Sequence, residues 1–402
     1  MKQPTQALGR VEFIAMMAML VATVAFSTDA MLPALPEIAA ELSPNTANRA
    51  QLIVSFFFLG LGAGTLFVGP LADAFGRKKV IVWAALVFVA GAALAWQAQS
   101  LNMLLAARFI QGLGAAGPRI VTMSIVRDLY SGRDMARILS FIFMIFSLVP
   151  ALAPSLGYVV MAAFDWRAIF LCFISFCVLS SAWLWIRQPE TLALADRRPL
   201  KIATIVSAVR EVFVPPITRL AIVIQTLAMG MLFTAIQSIQ PVFDVTFDRA
   251  AEFHLWFAAL ALIAMTSSGL NAYLVVRLGM RGILRTSFLA LAICAATLLV
   301  LYPIIASESV RFWLFLLFVQ CTFFATGLTL GNLNALALEP LGHIAGTASS
   351  VIAAIATIGS LFVAVPIGLA FNGTPIPWAA GVTICALTAY ALTRQMKRPG
   401  DA

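Results

Sequence analysis

The sequence predicts an all-α membrane protein with twelve transmembrane helices in two pseudo-symmetric six-helix bundles. Of its 402 residues, 62% are hydrophobic and 11% are charged, whereas a soluble domain is nearer half apolar and a quarter charged. Apolar runs of roughly 20 residues recur along the chain, and about twelve such crossings fit this length. Because backbone groups exposed to lipid go unsatisfied, continuous runs of this kind predict helices rather than barrel strands.

The first bundle is predicted to take residues 1–187, and a polar linker follows at 188–216. Turns rich in charge, Pro or Gly separate the apolar runs of this bundle. Its six predicted helices cover residues 11–35, 50–71, 80–96, 101–126, 138–163 and 168–186. Within the linker, residues 201–214 form an amphipathic stretch that we expect to lie on the membrane surface.

The second bundle, residues 217–402, is predicted to repeat the layout of the first. Its six helices cover residues 217–243, 255–276, 282–305, 311–338, 344–371 and 376–392. An offset of 203 residues aligns Gly279 with Gly76 and Arg281 with Lys78. This weak internal repeat predicts parallel halves of six helices each.

The positive charges explain the orientation that we expect in the membrane. The chain has 26 Lys and Arg and a net charge of +9. Most of these basic residues fall on the side of the membrane that holds both predicted chain ends. The opposite side holds Arg49, Arg167, Arg249 and Arg311. This bias predicts cytoplasmic termini, and it favours a bilayer rather than a nucleic acid as the partner of the basic residues.

Composition also argues against an enzyme or a metal protein. The five cysteines are scattered through apolar runs without C-x-x-C spacing, which predicts neither a disulfide framework nor a zinc site. No catalytic triad, phosphate loop or cofactor motif is evident. We therefore expect no cofactor and no metal.

A short charged tract, G-P-L-A-D-A-F-G-R-K-K, starts at Gly69 between the second and third helices. Gly69 and Gly76 permit a sharp turn there. Asp73 can cap the N-terminus of a helix or form an ion pair with a basic side chain. Arg77, followed by Lys78, can pair with Asp128 at the next turn on the same side. The ordered tract predicts a latch on the cytoplasmic side; the alternative is that its cations only set topology.

Asp29 is the one carboxylate that we place well inside a predicted span. An ionised group there costs roughly 2.5–3.5 kcal/mol on insertion scales. Burial disfavours the charged form of a carboxyl group, whereas a neighbouring cation favours it. Asp29 is therefore a candidate proton carrier and a candidate substrate contact. The alternative is an acid near the outer surface, solvated by water.

Two arginines lie in the fourth predicted helix. Arg108 needs a carboxylate, backbone carbonyls or a water-filled cavity, because its guanidinium stays charged. Arg119 lies about three turns further on, on roughly the same face. It is a candidate substrate contact, and snorkelling to the cytoplasmic surface is the alternative.

Further candidates lie in helices 5, 7 and 10. Pro150 and Pro154 remove backbone donors from helix 5, and Gly157 permits close helix packing. Gln237 and Asn332 are candidate substrate contacts in the second bundle. Hydrogen bonding between helices is the alternative for such polar residues.

Several tracts in the first half occur in the order seen in one known group. They are T-D-A-M-L-P-A-L-P-E-I, the charged tract, R-F-I-Q-G-L-G, I-V-R-D-L-Y and D-W-R-A-I-F. In these tracts the chain resembles the Bcr/CflA group of drug:proton antiporters in the major facilitator superfamily. The resemblance implies a proton-coupled efflux transporter of the bacterial inner membrane for small amphipathic compounds such as phenicol antibiotics. It also implies proton coupling for Arg108, beside the candidate proton carrier Asp29, and antiport for the helix 5 motif.

Departures from the group narrow the expected substrates. Ser147 and Ser155 stand where glycines are common in the helix 5 motif, and Val21 or Ala22 stands where some relatives carry a second acid. With one embedded acid and two embedded arginines, we expect neutral or anionic substrates. A metabolite or siderophore transporter, either an exporter or an uptake symporter, stays open as an alternative. A membrane enzyme or sensor without transport is the third hypothesis. We expect a monomer.

Overall fold

The computed structural model describes residues 8–197, 199–200 and 202–396, except for the side chains of residues 202–205. The chain divides into two compact units. Unit 1 comprises Met1–Leu42 and Phe56–Val206, and unit 2 comprises Ser43–Ser55 and Ser207–Ala402. Both chain ends, which the charge bias assigns to the cytoplasm, lie outside the described residues.

The long helices of unit 1 follow the apolar runs. They are α1 (Arg10–Asp29), α3 (Leu52–Phe75), α4 (Arg77–Trp96), α5 (Leu101–Leu129), α6 (Gly132–Ala163) and α7 (Ala168–Arg187), with the short α2 (Leu35–Leu42) after α1. The linker helix α8 (Ile202–Val212) spans the boundary between the units. The first residues of α3, up to Ser55, group with unit 2.

The first predicted helix, residues 11–35, was wrong at its C-terminal end. The helix α1 ends at Asp29, and a 3-10 segment, Leu32–Ala34, follows with Pro33 in its first turn. Proline lacks the N–H that an α-helix needs, so it favours this change of helix type. The stretch after it, predicted to be a loop, forms α2 because Leu35, Ile38 and Ala39 present one buried face.

Unit 2 contains α9 (Pro216–Pro241), α10 (Phe253–Leu301), α11 (Glu308–Leu338), α12 (Ala345–Leu369) and α13 (Ile376–Gln395). The helix α10 has 49 residues, which would extend about 74 Å if it were straight and so exceeds twice the hydrocarbon thickness. Gly279, at φ 70° and ψ 161°, breaks it into two crossings. Gly76 has nearly the same conformation, φ 99° and ψ 153°, at the position that the internal repeat aligns with it.

Ten continuous helical segments of the described chain are long and apolar enough to cross a bilayer. Two of them, Ala250–Leu301 and Glu308–Leu369, hold two crossings each, because Gly279 interrupts the first and a 3-10 segment, Glu339–Ile344, interrupts the second. The described residues therefore contain twelve transmembrane helices in an all-α membrane fold. The predicted fold class is confirmed.

Glycines bring the helices of unit 1 close together around Arg108. A Cβ at Gly60 would lie 2.0 Å from the carbonyl oxygen of Phe109, and one at Gly112 would lie 2.0 Å from that of Phe57. Backbone contacts this close let α3 and α5 pack without a side chain between them. These contacts between α3 and α5 fix the position of Arg108 along the axis of the bundle.

Candidate functional site

The turn between α3 and α4 is much tighter than the sequence predicts. The helix α3 runs to Phe75 and α4 begins at Arg77, so Gly76 alone makes the turn. Its φ of 99° is a left-handed conformation that side chains rarely adopt. Gly69 lies inside α3, so its predicted role in the turn was wrong. The helix continues through Gly69 and Pro70, and Gly69 eases this because it has no Cβ to clash with the proline ring that follows it.

Arg77 is the centre of an ion-pair cluster at this turn. Its Nε lies 2.9 Å from Oδ2 of Asp128, and its Nη1 bonds to Oδ1 of Asp73. Thr191 donates a hydrogen bond of 2.9 Å to the same oxygen of Asp128. Arg77 itself is only 7% exposed. The predicted pairing of Arg77 with Asp128 is confirmed as a contact, and it joins α4 to the end of α5.

Glu190 completes this cluster, and sequence reasoning missed it. Its carboxylate accepts hydrogen bonds from the backbone N–H groups of Arg77, at 2.9 Å, and Lys78, at 3.2 Å. These are the first residues of α4, where N–H groups lack partners within the helix and a negative charge is stabilising. The only signal in the sequence was an acid shortly after the end of a span.

Lys78 is held by the helix that leads to Glu190. Its Nζ donates a hydrogen bond of 2.9 Å to the carbonyl oxygen of Trp185, and it lies 4.9 Å from the centre of that indole ring. The cation is therefore tied to α7, and it is not a freely solvated topology charge.

Asp29 is the last residue of α1 and is only 5% exposed. No hydrogen bond or ion pair reaches its carboxylate from the described residues. A Cβ at Gly157 would lie 1.9 Å from the carbonyl oxygen of Ala30, the residue after Asp29. The helix 5 motif lies in α6, with Pro150 and Pro154 inside the helix. Its Gly157 packs directly against the end of α1 that carries Asp29.

Arg108 is completely buried, and its guanidinium is bound by the protein. Nη1 donates to Oε1 of Gln111 at 2.6 Å, and Nη2 donates to the carbonyl oxygen of Ser27 at 3.2 Å. The guanidinium carbon lies 4.3 Å from the centre of the Phe57 ring. Ser27 precedes Asp29 by two residues, so the buried cation and the buried acid share the C-terminal turn of α1.

Arg119 differs from Arg108 in its surroundings. It follows Pro118 in α5 and is partly exposed. The described residues place no hydrogen bond or ion pair on its guanidinium. Eleven residues separate the two arginines, which corresponds to about 16 Å along a helix. Of the two, Arg119 is the one whose donors are available to a bound anion.

Gln237 lies in a buried polar cluster of unit 2. Its Oε1 accepts a hydrogen bond of 2.8 Å from Ser55, and its Nε2 donates to the carbonyl oxygen of Ala364. A Cβ at Gly368 would lie 2.4 Å from this Nε2 and 2.6 Å from Oε1 of Gln51. Both ends of the Gln237 amide are therefore used within the protein, which matches the alternative of helix-to-helix hydrogen bonding.

Asn332 is bonded in the same manner. Its Nδ2 donates to Oδ1 of Asn271 at 2.7 Å and to the carbonyl oxygen of Leu328 at 2.8 Å. The side chain is only 4% exposed. It links α11 to the first half of α10, and in this conformation its donor group is engaged.

Comparison with known proteins identifies the family. A family model described as Major Facilitator Superfamily matches residues 17–364. The chain belongs to this superfamily. Membership makes it a multi-pass membrane transporter of small molecules, and it agrees with the resemblance that the first-half tracts carry.

Two of the similar proteins are bacterial. A bicyclomycin resistance protein homolog of Haemophilus influenzae is 27% identical over 384 residues, which cover 93% of this chain and 94% of that protein. The multidrug resistance protein MdtL of Citrobacter koseri is 32% identical over 341 residues, covering 83% and 82% of the two chains. The matched stretches therefore span most of each protein.

Among solved structures, the fold is similar to a partially occluded inward-open conformation of the xylose transporter XylE from E. coli. The TM-score is 0.76 and the sequence identity is 13%, and the similarity covers 98% of this chain and 99% of that one. At this identity the likeness concerns the fold alone.

Proposed function

We propose that the protein exports small amphipathic compounds, neutral or anionic, in exchange for protons and by alternating access. Superfamily membership supports a transporter, and the names of the similar bacterial proteins support efflux of drugs. The observation that carries the proposal is the buried Asp29 carboxylate at the end of α1. We also propose the bacterial inner membrane as its location, with cytoplasmic termini and a monomeric state.

Asp29 has the surroundings of a proton carrier. It is 5% exposed, and the described residues offer its carboxylate neither a hydrogen bond nor an ion pair. Such a group is stable when it is protonated and neutral, and it costs roughly 2.5–3.5 kcal/mol when it is ionised away from water. Release of the proton therefore requires water or a cation near the carboxylate. The guanidinium of Arg108 is such a cation, and it donates a hydrogen bond to the carbonyl oxygen of Ser27, two residues before Asp29.

Arg119 supports the choice of neutral or anionic substrates. Its guanidinium is partly exposed and carries no ion pair within the described chain. A bound carboxylate or polarised carbonyl would find hydrogen-bond donors there. We assign substrate contact to Asp29 and Arg119, and we leave Gln237 and Asn332 to the hydrogen bonds that they make within unit 2.

The membrane potential supplies enough energy for this exchange. One proton moved inward across 100 mV releases about 2.3 kcal/mol. That energy supports roughly fiftyfold accumulation of a neutral substrate. A single carrier carboxylate is therefore sufficient for useful export.

The cluster of Asp73, Arg77, Asp128 and Glu190 would act as the cytoplasmic latch of this cycle. Its ion pairs join α3, α4 and α5, and its carboxylates already neutralise Arg77. Any movement that separates these helices must break charge-assisted hydrogen bonds. We propose that the latch loosens in one of the two access states.

Proton movement in everted membrane vesicles tests the proposal. Respiration acidifies the vesicle lumen, and a phenicol or another neutral amphipathic compound is then added outside. Exchange predicts alkalinisation of the lumen, with vesicles lacking the protein as the control. Acidification would indicate a symporter running in reverse, and no proton movement with any transported compound would remove proton coupling.

A susceptibility screen identifies the substrate class. Cells with and without the gene are compared across phenicols, quinolones and siderophores. We expect resistance to neutral or anionic members. Resistance confined to cationic compounds would contradict the role given to Arg119.

A further inference from the structure

A cavity lies apart from Asp29 and Arg108, between the starts of α1 and α6. Its volume is about 400 Å³. Its walls are mostly apolar and include Ile14, Ile138, Phe141 and Ile145. Neither the proton-coupling proposal nor the latch uses any of these residues. The cavity therefore needs its own explanation.

Charged side chains stand at one end of this cavity. Arg10 is the first residue of α1, and Arg137 and Asp134 lie near the start of α6. None of the three makes an ion pair within the described residues. The guanidinium carbon of Arg137 lies 5.9 Å from the ring centre of Phe141. Two cations and one anion leave this end of the cavity with a net positive charge.

The lining residues follow the period of a helix, so the cavity is a groove along α6. Arg137, Phe141 and Ile145 are spaced by four residues and share one helix face. From Arg137 to Ile145 the groove extends about 12 Å. Arg10 and Ile14 repeat the same order, a cation followed by an apolar residue, on α1. The groove is cationic at one end and apolar beyond it.

The exposure of the lining shows that the groove is open on one side. Val11 is 82% exposed, and Phe141 is 39% exposed. Exposed apolar side chains of this kind gain from contact with an acyl chain, because removing apolar surface from water is favourable. The groove can therefore hold an acyl chain, and its charged end lies at the starts of α1 and α6.

We propose that this groove binds one phospholipid with an anionic headgroup. The headgroup phosphate lies at Arg10 and Arg137, and an acyl chain lies along Ile14, Phe141 and Ile145. Basic pockets between transmembrane helices on the cytoplasmic side are suited to anionic headgroups. A free phosphate would leave the apolar part empty. The proposal rests on the cytoplasmic placement of the termini proposed above, and it does not depend on which substrate is exported.

Lipid retention by the purified protein tests this site. The full chain is exchanged into mixed phosphatidylglycerol and phosphatidylcholine, and the retained lipids are counted by native mass spectrometry. The parent should retain phosphatidylglycerol in preference. Each guanidinium removed should lower that preference about fivefold, so the Arg10→Gln/Arg137→Gln double variant should lose about 25-fold.

A matched control removes the same charge from nearby positions that do not line the groove. Lys79→Gln/Arg127→Gln should keep the preference of the parent, because both residues are exposed and neither lines the groove. An equal loss in this control, or no preference in the parent, would overturn the proposal. So would displacement of the retained phosphatidylglycerol by inorganic phosphate alone, because that result indicates an anion site without an acyl chain.

A second variant tests the apolar part without changing any charge. Ala15 lines the groove, and Ala15→Phe would fill it. Retention of phosphatidylglycerol should fall severalfold while Arg10 and Arg137 remain. Unchanged retention in a folded Ala15→Phe protein would mean that the acyl chain does not lie in this groove.

Discussion

Gly157→Ala is the most direct test of how α6 supports the end of α1. A Cβ at this position would lie 1.9 Å from the carbonyl oxygen of Ala30. Ordinary contact begins near 3.4 Å, so α6 must move away by about 1.5 Å. The contact atom belongs to the backbone, which cannot rotate away as a flexible side chain can. Overpacking of this kind typically costs about 1–3 kcal/mol.

The predicted effect concerns both stability and transport. A loss of about 2 kcal/mol lowers the melting temperature by roughly 4–8 °C in a unit of about 200 residues. Because Ala30 follows Asp29, the same displacement moves the acid relative to Arg108. We therefore expect substrate-driven proton exchange to fall at least tenfold at a temperature where the variant is folded.

Gly331→Ala is the matched control for this substitution. Gly331 lies within α11, and a Cβ there meets no atom within 4 Å. Alanine favours helix more than glycine does, so this variant should melt at the parent temperature or slightly above it. Melting is followed by fluorescence of the purified protein, and exchange in everted vesicles. If Gly157→Ala behaved like Gly331→Ala in both assays, the packing argument would be refuted.

Three further substitutions test other parts of the account. Glu190→Gln removes the negative charge at the start of α4 and should cost about 1 kcal/mol, visible as a lower melting temperature; an unchanged melt would contradict its capping role. Arg119→Gln should raise KM for anionic substrates roughly tenfold or more and KM for neutral ones less, because only an anion loses a pairing of opposite charges; an unchanged KM for both would argue against substrate contact. Gly368→Ala forces the Gln237 amide from its two hydrogen bonds and should cost about 2 kcal/mol. Adding Gln237→Ala should relieve part of that loss, and strict additivity of the two would show that the clash lies elsewhere.

The fold class could be predicted from the sequence because the helices are surrounded by lipid, which cannot satisfy exposed backbone polar groups. Apolar runs of crossing length can only be helices, and twelve of them follow from length alone. Their ends were less predictable. The break at Gly279 was predicted from its alignment with Gly76, whereas α2 forms in a stretch that was predicted to be a loop.

The candidate site was predictable where charges form an ordered tract. Arg77 and Asp128 carry opposite charges at successive turns on one side of the membrane, so their pairing could be anticipated. Glu190 could not be anticipated, because its carboxylate meets backbone N–H groups more than a hundred residues away. Backbone donors leave no mark in a sequence. The packing of Gly157 against Ala30 is equally invisible, since it depends on the position of α6 relative to α1.

Polar residues inside spans were the hardest to assign. Gln237 and Asn332 looked like substrate contacts, yet each is bonded to a neighbouring helix. Arg108 and Arg119 lie on one helix, but Arg108 is completely buried and Arg119 is partly exposed. Which of these polar side chains stays accessible to a ligand depends on the helices packed around it. The spacing of residues along one helix does not reveal how those neighbouring helices pack.

Uphill transport by Asp29→Asn tests the central claim most directly. The parent, the variant and the exposed-acid control Asp196→Asn are reconstituted in liposomes under a potential of about 100 mV, with an electrically neutral substrate. The parent and the control should accumulate it up to roughly fiftyfold, while Asp29→Asn should only equilibrate it. Accumulation by Asp29→Asn equal to that of the parent would contradict the assignment of the proton to this carboxylate.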